Sequence, residues 1–315
     1  MLRKASAFKA RVSSARPYLT AGLRKYLPRL HRSYLLWRLR PLPTRVMGPR
    51  FRRSRDKAQI DITYVCNLHC FNCDRSCAQA PTNEHMTVGQ VRHFLEESRV
   101  SEIQWSLLEV MGGEPTTHPQ FLEIVKLVLE YRDKYFPGAR VRVTSNGYGE
   151  KVNRLLALLP TGVDVGNNAK TSKVQGYFDT FNVAPIDLDE YAGSDFTNGC
   201  WVTQMAGMGV TPYGYYPCAA GGGIDRVFGF NLGRKTLPQP DDDMKEELRR
   251  LCAVCGHFKV RAPGALVGPA MSKTWQKAYA NLHDNPPKMP RLAEGTSVHN
   301  TLPKSQHPSP SACTK

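Results

Sequence analysis

The chain has 315 residues, of which 41% are hydrophobic and 22% are charged, and its formal net charge is +16. Residues 1–57 hold 17 basic residues and one acid, Asp56, so this segment carries the whole net charge and the other 258 residues sum to zero. That distribution argues against a protein that binds nucleic acid through its entire surface. No stretch approaches the roughly 20 apolar residues that cross a bilayer, and no early apolar run is long enough for a secretory signal.

The nine cysteines are an odd number in a chain without an export signal. This usage predicts reduced thiols that ligate a metal or a cluster, rather than a disulfide framework. We therefore expect a cytoplasmic protein, with peripheral attachment to a membrane as a further option through the N-terminal segment.

Residues 1–57 are predicted to form a basic arm interrupted by several prolines. Between Leu19 and Leu39, aliphatic and aromatic residues alternate with Arg and Lys at roughly helical spacing. This pattern is compatible with a solvated arm, with a helix that lies on anionic lipid, and with an arm that contacts an acidic partner. A mitochondrial presequence has the same composition, so that alternative stays open as well.

Strand and helix patterns alternate after Ala58, which predicts parallel βαβ units and hence an α/β barrel or a doubly wound sheet. Thr87 is predicted to cap the first of these helices. The segment after residue 191 is rich in glycine and irregular, and residues 284–315 are predicted to be a disordered tail. The predicted elements are strands at 60–65, 103–111, 140–144, 163–165 and 180–183, with helices after 87, from 119 and at 152–159.

Three cysteines follow the first predicted strand. Cys66, Cys70 and Cys73 can turn toward one point in a short loop, and they leave a fourth metal-site position without a protein thiolate. In a [4Fe–4S] cluster this arrangement leaves one iron able to bind another molecule. A closed zinc site needs a fourth ligand; His69 or Cys77 could supply it, so zinc stays an alternative.

The run Gly112-Gly113-Glu114-Pro115 follows the second strand, about forty residues after the cysteines. Cys-x3-Cys-x2-Cys with this later run resembles the radical S-adenosylmethionine (radical SAM) superfamily. The resemblance implies that the open iron chelates S-adenosylmethionine and that the reduced cluster cleaves it to a 5′-deoxyadenosyl radical, which abstracts a hydrogen atom. Gly112 and Gly113 would let the backbone approach this cosubstrate, and Glu114 would accept from its ammonium group.

Two further positions bear on the cosubstrate. Ser145 and Asn146, at the end of the third strand, resemble the family's turn that faces the ribose, although an ordinary Asn-Gly turn explains them as well. The family often has an aromatic residue immediately before the third cysteine. Here Asn72 holds that place and Phe71 precedes it, which leaves the adenine contact open.

Four more cysteines, Cys200, Cys218, Cys252 and Cys255, are enough for a complete coordination shell. An all-thiolate zinc site is the simpler interpretation, but such sites usually show two tight Cys-x2-Cys pairs. The split first pair and the late Cys-x2-Cys resemble the SPASM/twitch extension of radical SAM enzymes, in its shorter form with one auxiliary [4Fe–4S] cluster. A fully thiolate-ligated cluster would take or supply an electron.

The resemblance implies a partial (β/α)6 barrel followed by a small iron–sulfur domain. We divide the chain into a basic arm (1–57), a radical SAM barrel (58–190), a twitch-like auxiliary domain (191–283) and the tail (284–315). The expected function is that of a radical SAM oxidoreductase acting on a sugar or cyclitol, with an external electron donor of the flavodoxin or ferredoxin type. A peptide- or protein-modifying radical SAM enzyme and a zinc protein that binds nucleic acid are the alternatives.

Overall fold

The structure is a computed structural model, and it describes residues 21–174, 180–260 and 270–294. Residues 1–20 of the predicted arm and residues 295–315 of the predicted tail, with Cys313, lie outside the described residues. Two helices precede the sheet, α1 (Ala21–Arg38) and α2 (Pro41–Met47). Pro28 stands inside α1, and Pro41 opens α2, where its fixed φ and missing N–H suit the first helical turn.

The central layer is a six-stranded sheet with the order β4-β3-β2-β1-β5-β6. Parallel pairs join β1 to β2, β2 to β3, β3 to β4 and β1 to β5, whereas β5 and β6 form an antiparallel hairpin. The strands are β1 (Lys57–Thr63), β2 (Leu107–Gly112), β3 (Arg140–Ser145), β4 (Val163–Asn167), β5 (Met208–Thr211) and β6 (Gly214–Tyr216).

Helices connect the first four strands, as parallel pairing requires. Thr87 caps the first of them, as predicted, because its side chain accepts from the Gln90 N–H while the Gln90 side chain accepts from the Thr87 N–H. The apolar faces of these helices bury residues such as Phe94, Ile124 and Val128 against Ile60, Val110 and Val143 of the sheet. The three helices are α3 (Val88–Val100), α4 (Phe121–Tyr135) and α5 (Glu150–Ala157).

In the part of the chain that the structure describes, the segment after β4 adds four more helices and two smaller apolar clusters. One cluster includes Cys200, Cys218 and Cys255 around Trp275, and the other includes Cys252 with Tyr191 and Phe258. The helices are α6 (Trp201–Met205), α7 (Gly221–Phe228), α8 (Lys245–Val254) and α9 (Lys273–Asp284).

The α/β class with a parallel sheet is confirmed, but the strand arrangement differs from an uninterrupted (β/α)6 series. Within the described residues the βα alternation covers β1 to β4, and β5 pairs with β1 rather than with β4. Since β5 and β6 lie in the segment assigned to the auxiliary domain, one sheet crosses the predicted boundary after residue 190. One side of β1 pairs with β2, and its other side offers unpaired backbone groups to a further strand. The order of residues along the chain does not indicate which later strand pairs there.

One local prediction is wrong. Residues 180–183 form a turn instead of a strand, with Phe181 buried in the cluster around Trp275. The described part of the predicted tail, residues 285–294, has no helix or strand and is mostly exposed. Leu292 is an exception within it, because its side chain is 2% exposed and its N–H donates to the Pro212 carbonyl at 2.7 Å.

Candidate active site

The carboxyl ends of β1, β2 and β3 meet at one edge of the sheet, where a cavity of about 550 Å³ opens. Cys66, Cys70 and Cys73 line it from the loop after β1. Gly112 and Gly113 line it from the end of β2, and Ser145 with Asn146 from the end of β3. The structure thus brings together seven of the nine residues that the sequence predicted for the first cluster and the cosubstrate.

The first cysteine set is largely shielded from solvent, and its thiols influence one another. Burial raises the pKa of Cys66 to about 12, and the nearby Cys73 and Cys70 thiols add to that rise. The pKa of Cys73 is lowered, first because the Cys77 thiol donates a hydrogen bond to it. Asn146 Nδ2 lies 3.8 Å from Cys66 Sγ, and Lys170 Nζ lies 3.9 Å from Cys70 Sγ.

Gly112 and Gly113 are required by the neighbouring strand. A Cβ at Gly112, where φ is +144°, would lie 2.2 Å from the Thr63 carbonyl oxygen, and one at Gly113 would lie 2.3 Å from the Val65 carbonyl oxygen. The Gly113 N–H donates to Thr63 O at 2.7 Å and so continues the pairing of β1 with β2. Both glycines are therefore required by their close approach to the end of β1, and the approach to a ligand in the cavity stays a prediction.

Glu114 lies behind the cavity wall and is fully buried. Its Oε1 accepts from the hydroxyls of Thr116 and Ser145, each at 2.8 Å, and its Oε2 accepts from the Asn146 N–H at 2.8 Å. Glu114 and Pro115 do not line the cavity. These bonds join the turn after β2 to the end of β3, and the acceptance from a ligand's ammonium group that we predicted for Glu114 stays a prediction.

The position before the third cysteine carries the departure noted from the sequence. Asn72 adopts a left-handed φ of +51° and lines the cavity, whereas the Phe71 side chain is exposed. The left-handed conformation is one that asparagine tolerates better than most residues. The Phe71 side chain therefore does not supply an aromatic contact to the cavity.

The second cysteine set is buried, with each residue 4–6% exposed. Burial is the first cause that raises the pKa of Cys252, and the adjacent Cys200, Cys218 and Cys255 thiols raise it further. The four cysteines come from the start of α6, the segment after β6 and the end of α8, and they lie near enough for their thiols to influence one another's pKa.

Residues next to this second set reach the same cavity as the first. Trp201 follows Cys200 and His257 follows Cys255 by two positions, and both line the cavity that Cys66, Cys70 and Cys73 line. The ring centroids of Trp201 and His257 are 6.1 Å apart in an edge-on arrangement. One cavity thus extends from the first cysteine loop to the neighbourhood of the second.

Sequence reasoning missed a polar network on the inner face of the sheet. Arg75, which is 5% exposed, donates to Asp61 at 3.2 Å, to Asp74 at 2.7 Å and to Gln59 at 2.9 Å. Burial raises the pKa of Asp61 to about 6 in spite of Arg75. Gln59 in turn donates to Glu109. The alternation of polar Gln59 and Asp61 with apolar neighbours in β1 was the available signal.

The donor chemistry of both sets fits iron–sulfur clusters, which cysteine thiolates hold. Within residues 21–174, 180–260 and 270–294, no three Cys, His, Asp or Glu side chains stand where they could hold one metal ion. The described part of the chain also contains no helix that is long and apolar enough to span a membrane.

The fold and the site define an α/β protein with a cysteine-lined cavity at the carboxyl edge of a parallel sheet. Residues 60–168 match the family model of the radical SAM superfamily. Residues 60–168 therefore form a radical SAM domain, and this family implies a [4Fe–4S] cluster and S-adenosylmethionine.

Several curated proteins are similar to parts of this chain. An AdoMet-dependent heme synthase of Methanosarcina barkeri is 33% identical over 88 residues, which are 28% of this chain and 23% of that protein. The mycofactocin maturase MftC of Mycobacterium tuberculosis is 27% identical over 142 residues, 43% of this chain and 34% of that protein. The alignments thus span about a quarter to a third of these relatives.

Two solved structures show weaker similarity. BtrN in complex with AdoMet and 2-DOIA is 13% identical with a TM-score of 0.37, covering 65% of this chain and 94% of that chain. Streptococcus suis SuiB bound to S-adenosylmethionine is 14% identical with a TM-score of 0.28, covering 39% of this chain and 27% of that chain.

Proposed function

We propose that the protein is a radical SAM oxidoreductase that removes hydrogen from a small, hydroxyl-bearing metabolite of the sugar or cyclitol type. In this proposal Cys66, Cys70 and Cys73 hold the catalytic [4Fe–4S] cluster. Cys200, Cys218, Cys252 and Cys255 hold a second [4Fe–4S] cluster that relays an electron. We also retain residues 58–190 and 191–283 as the functional units that carry these two clusters.

The observation that carries the proposal is the shared cavity. It is lined by all three cysteines of the first set and by Trp201 and His257, which flank cysteines of the second set. A substrate in this cavity would lie between the two sets. That placement supports hydrogen abstraction on one side and removal of an electron on the other.

The cavity wall supports a polar substrate of limited size. Gln59 and Thr144 line it from β1 and β3, Asp74 and Arg75 line it from the loop after β1, and Asn168 and Lys170 line it from the segment after β4. Such groups donate hydrogen bonds to hydroxyl groups and accept hydrogen bonds from them, so they would orient a polyol. The buried pair of Arg75 with Asp61 holds the guanidinium in place, since moving it would leave a charge uncompensated.

Each bound group has residues to hold it. Gly112, Gly113, Ser145 and Asn146 would contact the cosubstrate at the cavity wall, while Glu114 and Pro115 would shape the turn behind it. When bound, the first cluster and S-adenosylmethionine supply the radical that abstracts the hydrogen atom. Trp201 would exclude water from the side of the second set. An external flavodoxin- or ferredoxin-type donor would reduce the first cluster.

The test is anaerobic purification with iron, sulfide and zinc analysis, followed by an assay for 5′-deoxyadenosine. We expect about eight iron atoms per chain, as two [4Fe–4S] clusters require, and reductive cleavage of S-adenosylmethionine. Replacing Cys66, Cys70 and Cys73 by Ala should abolish cleavage and leave about four iron atoms. Replacing Cys200 and Cys218 by Ala should also leave about four iron atoms but preserve cleavage.

Cys313→Ala, outside both sets, is the matched control and should change neither value. A colourless protein that holds zinc would overturn the proposal in favour of the zinc-protein alternative. With both clusters present, turnover of a peptide but of no polyol would replace the substrate class by the peptide-modifying alternative.

A further inference from the structure

The outer face of α1 is apolar and exposed. Leu30 is 64% exposed and Trp37 is 51% exposed, and Leu27 and Tyr34 are each 47% exposed. Their spacing of three, four and three residues places them along one side of the helix. The next helix continues this exposure, since its Leu42 and Val46 are 70% and 75% exposed. We call the six residues Leu27, Leu30, Tyr34, Trp37, Leu42 and Val46 the outer apolar stripe.

The opposite face of α1 is already used. Leu35 and Leu36 pack against the cluster that contains Leu39, Tyr191 and Phe258. Polar contacts fix the same side, because Arg32 pairs with Glu190 and the Leu39 carbonyl accepts from the Asp195 N–H at 2.7 Å. The helix is therefore anchored to the body through its inner face, and the outer apolar stripe cannot turn inward without breaking these contacts.

The surroundings of the stripe are positively charged. Arg29, Arg45 and Arg52 are exposed, and none of them forms an ion pair within the described part of the chain. Asp56 is the single acid of residues 1–57, and its carboxylate accepts from the Ser54 hydroxyl at 3.0 Å. No acid of this segment neutralises the arginines beside the stripe.

We propose that α1 and α2 bind the surface of an anionic lipid bilayer, with the outer apolar stripe inserted at the level of the headgroups. A helix that combines exposed aliphatic residues with basic neighbours has the composition of an interfacial helix. Tyr34 and Trp37 are the residue types that favour the boundary between headgroups and acyl chains. The inference goes beyond the proposed reaction and does not depend on it.

The positive charge beside the outer apolar stripe favours anionic lipid over a second copy of the chain or a nucleic acid as its partner. A second copy of the chain would bring a second set of unpaired arginines to the same contact, which is unfavourable. A nucleic acid would match the arginines but not the aliphatic side chains of Leu27, Leu30, Leu42 and Val46. Anionic lipid is complementary to both parts of the surface.

The experiment is cosedimentation of the full chain with vesicles of phosphatidylcholine alone, or with roughly one-third phosphatidylglycerol. We expect binding to the anionic vesicles that weakens with salt. Leu30→Glu with Trp37→Glu should lower the partition coefficient at least tenfold. Arg29→Gln and Arg45→Gln should each lower it about fivefold, the effect of one basic residue near an anionic surface.

Leu158→Glu is the matched control, because Leu158 is 64% exposed at the end of α5 and does not belong to the stripe, and it should bind as the wild type does. Far-ultraviolet circular dichroism and the melting temperature of all these variants should match the wild type, which shows that they fold. Failure of the wild type to bind anionic vesicles would overturn the proposal. So would a dimer in light scattering that Leu30→Glu dissociates, or binding to a DNA duplex that is tighter than binding to the vesicles.

Discussion

At the scale of single residues, the turn after β2 depends on the missing side chain of Gly113. A Cβ there would lie 2.3 Å from a backbone oxygen of Val65, and backbone cannot move aside as a flexible side chain can. Gly113→Ala should therefore lower the free energy of unfolding by about 1–3 kcal/mol, the range for overpacking a close contact. It should also weaken binding of S-adenosylmethionine, since the shifted turn forms the cavity wall.

Urea denaturation and equilibrium binding of the anaerobically purified protein measure the two effects. Gly138→Ala is the control, because a Cβ at Gly138 would meet nothing within 4 Å, and it should leave both quantities near wild type. Equal stability of the two variants would contradict the packing argument.

At the scale of elements, α7 holds the loop that follows the first cysteine set. Arg226, 6% exposed, donates to the carbonyls of Arg75, Ser76 and Ala80 at 2.8–2.9 Å. Its guanidinium also lies over the Tyr64 ring at 4.6 Å. One side chain thus ties a helix of the second half to the loop of the first cluster without ligating it.

Arg226→Met keeps much of the side-chain length but leaves three buried carbonyls without this donor, each at a cost of about 1–3 kcal/mol before relaxation. We expect a lower melting temperature and faster loss of iron from the first cluster on exposure to a chelator. Optical absorption follows that loss. Arg249→Met, at an exposed arginine paired with Glu246, should behave as wild type; an identical rate in Arg226→Met would refute the role.

At the scale of the whole molecule, residues near the end of the described chain tie the two parts of the sheet together. The Leu292 N–H donates to the Pro212 carbonyl at 2.7 Å, beside the β5–β6 hairpin, and the Leu292 carbonyl accepts from Gln90 of α3 at 2.7 Å. Its side chain joins the main core. A segment predicted as tail therefore bridges a helix of the βα repeat and the late hairpin.

Leu292→Ala should lower the free energy of unfolding by about 2–5 kcal/mol, as for other buried leucines. Chemical denaturation checks this value. Leu158→Ala is the matched control because that leucine is largely exposed, and its change should stay within about 0.5 kcal/mol. A Leu292→Ala variant as stable as the control would mean that the segment does not pack as described.

Much of the fold and of the candidate site follows from local pattern. The capping box at Thr87 and Gln90 needs only residues three apart, and the alternation of elements up to β4 appears in the order of apolar residues. Cys66, Cys70, Cys73, Gly112 and Gly113 follow predicted strands, and parallel pairing brings strand ends to one edge. Their gathering at one cavity could therefore be predicted.

Other features depend on contacts between distant residues. The role of Glu114 is set by Ser145 and Asn146, about thirty residues later, and the burial of Arg75 depends on Asp61 and on α7. The spacing of residues along the sequence does not indicate whether a carboxylate faces a ligand or the backbone of a neighbouring strand. The same holds for the outer apolar stripe, since composition indicates a basic amphipathic arm but not which side of it is covered.

The sequence by itself determined the α/β class, the family resemblance and the two cysteine sets, because spacing along the chain limits which side chains can meet in a short loop or follow one strand. Only the tertiary structure decided that β5 pairs with β1, that Trp201 and His257 reach the first cavity, and that Leu292 is buried. These outcomes depend on how distant segments compete for the same open edge and the same apolar surface, and that competition is settled only when the whole chain is folded.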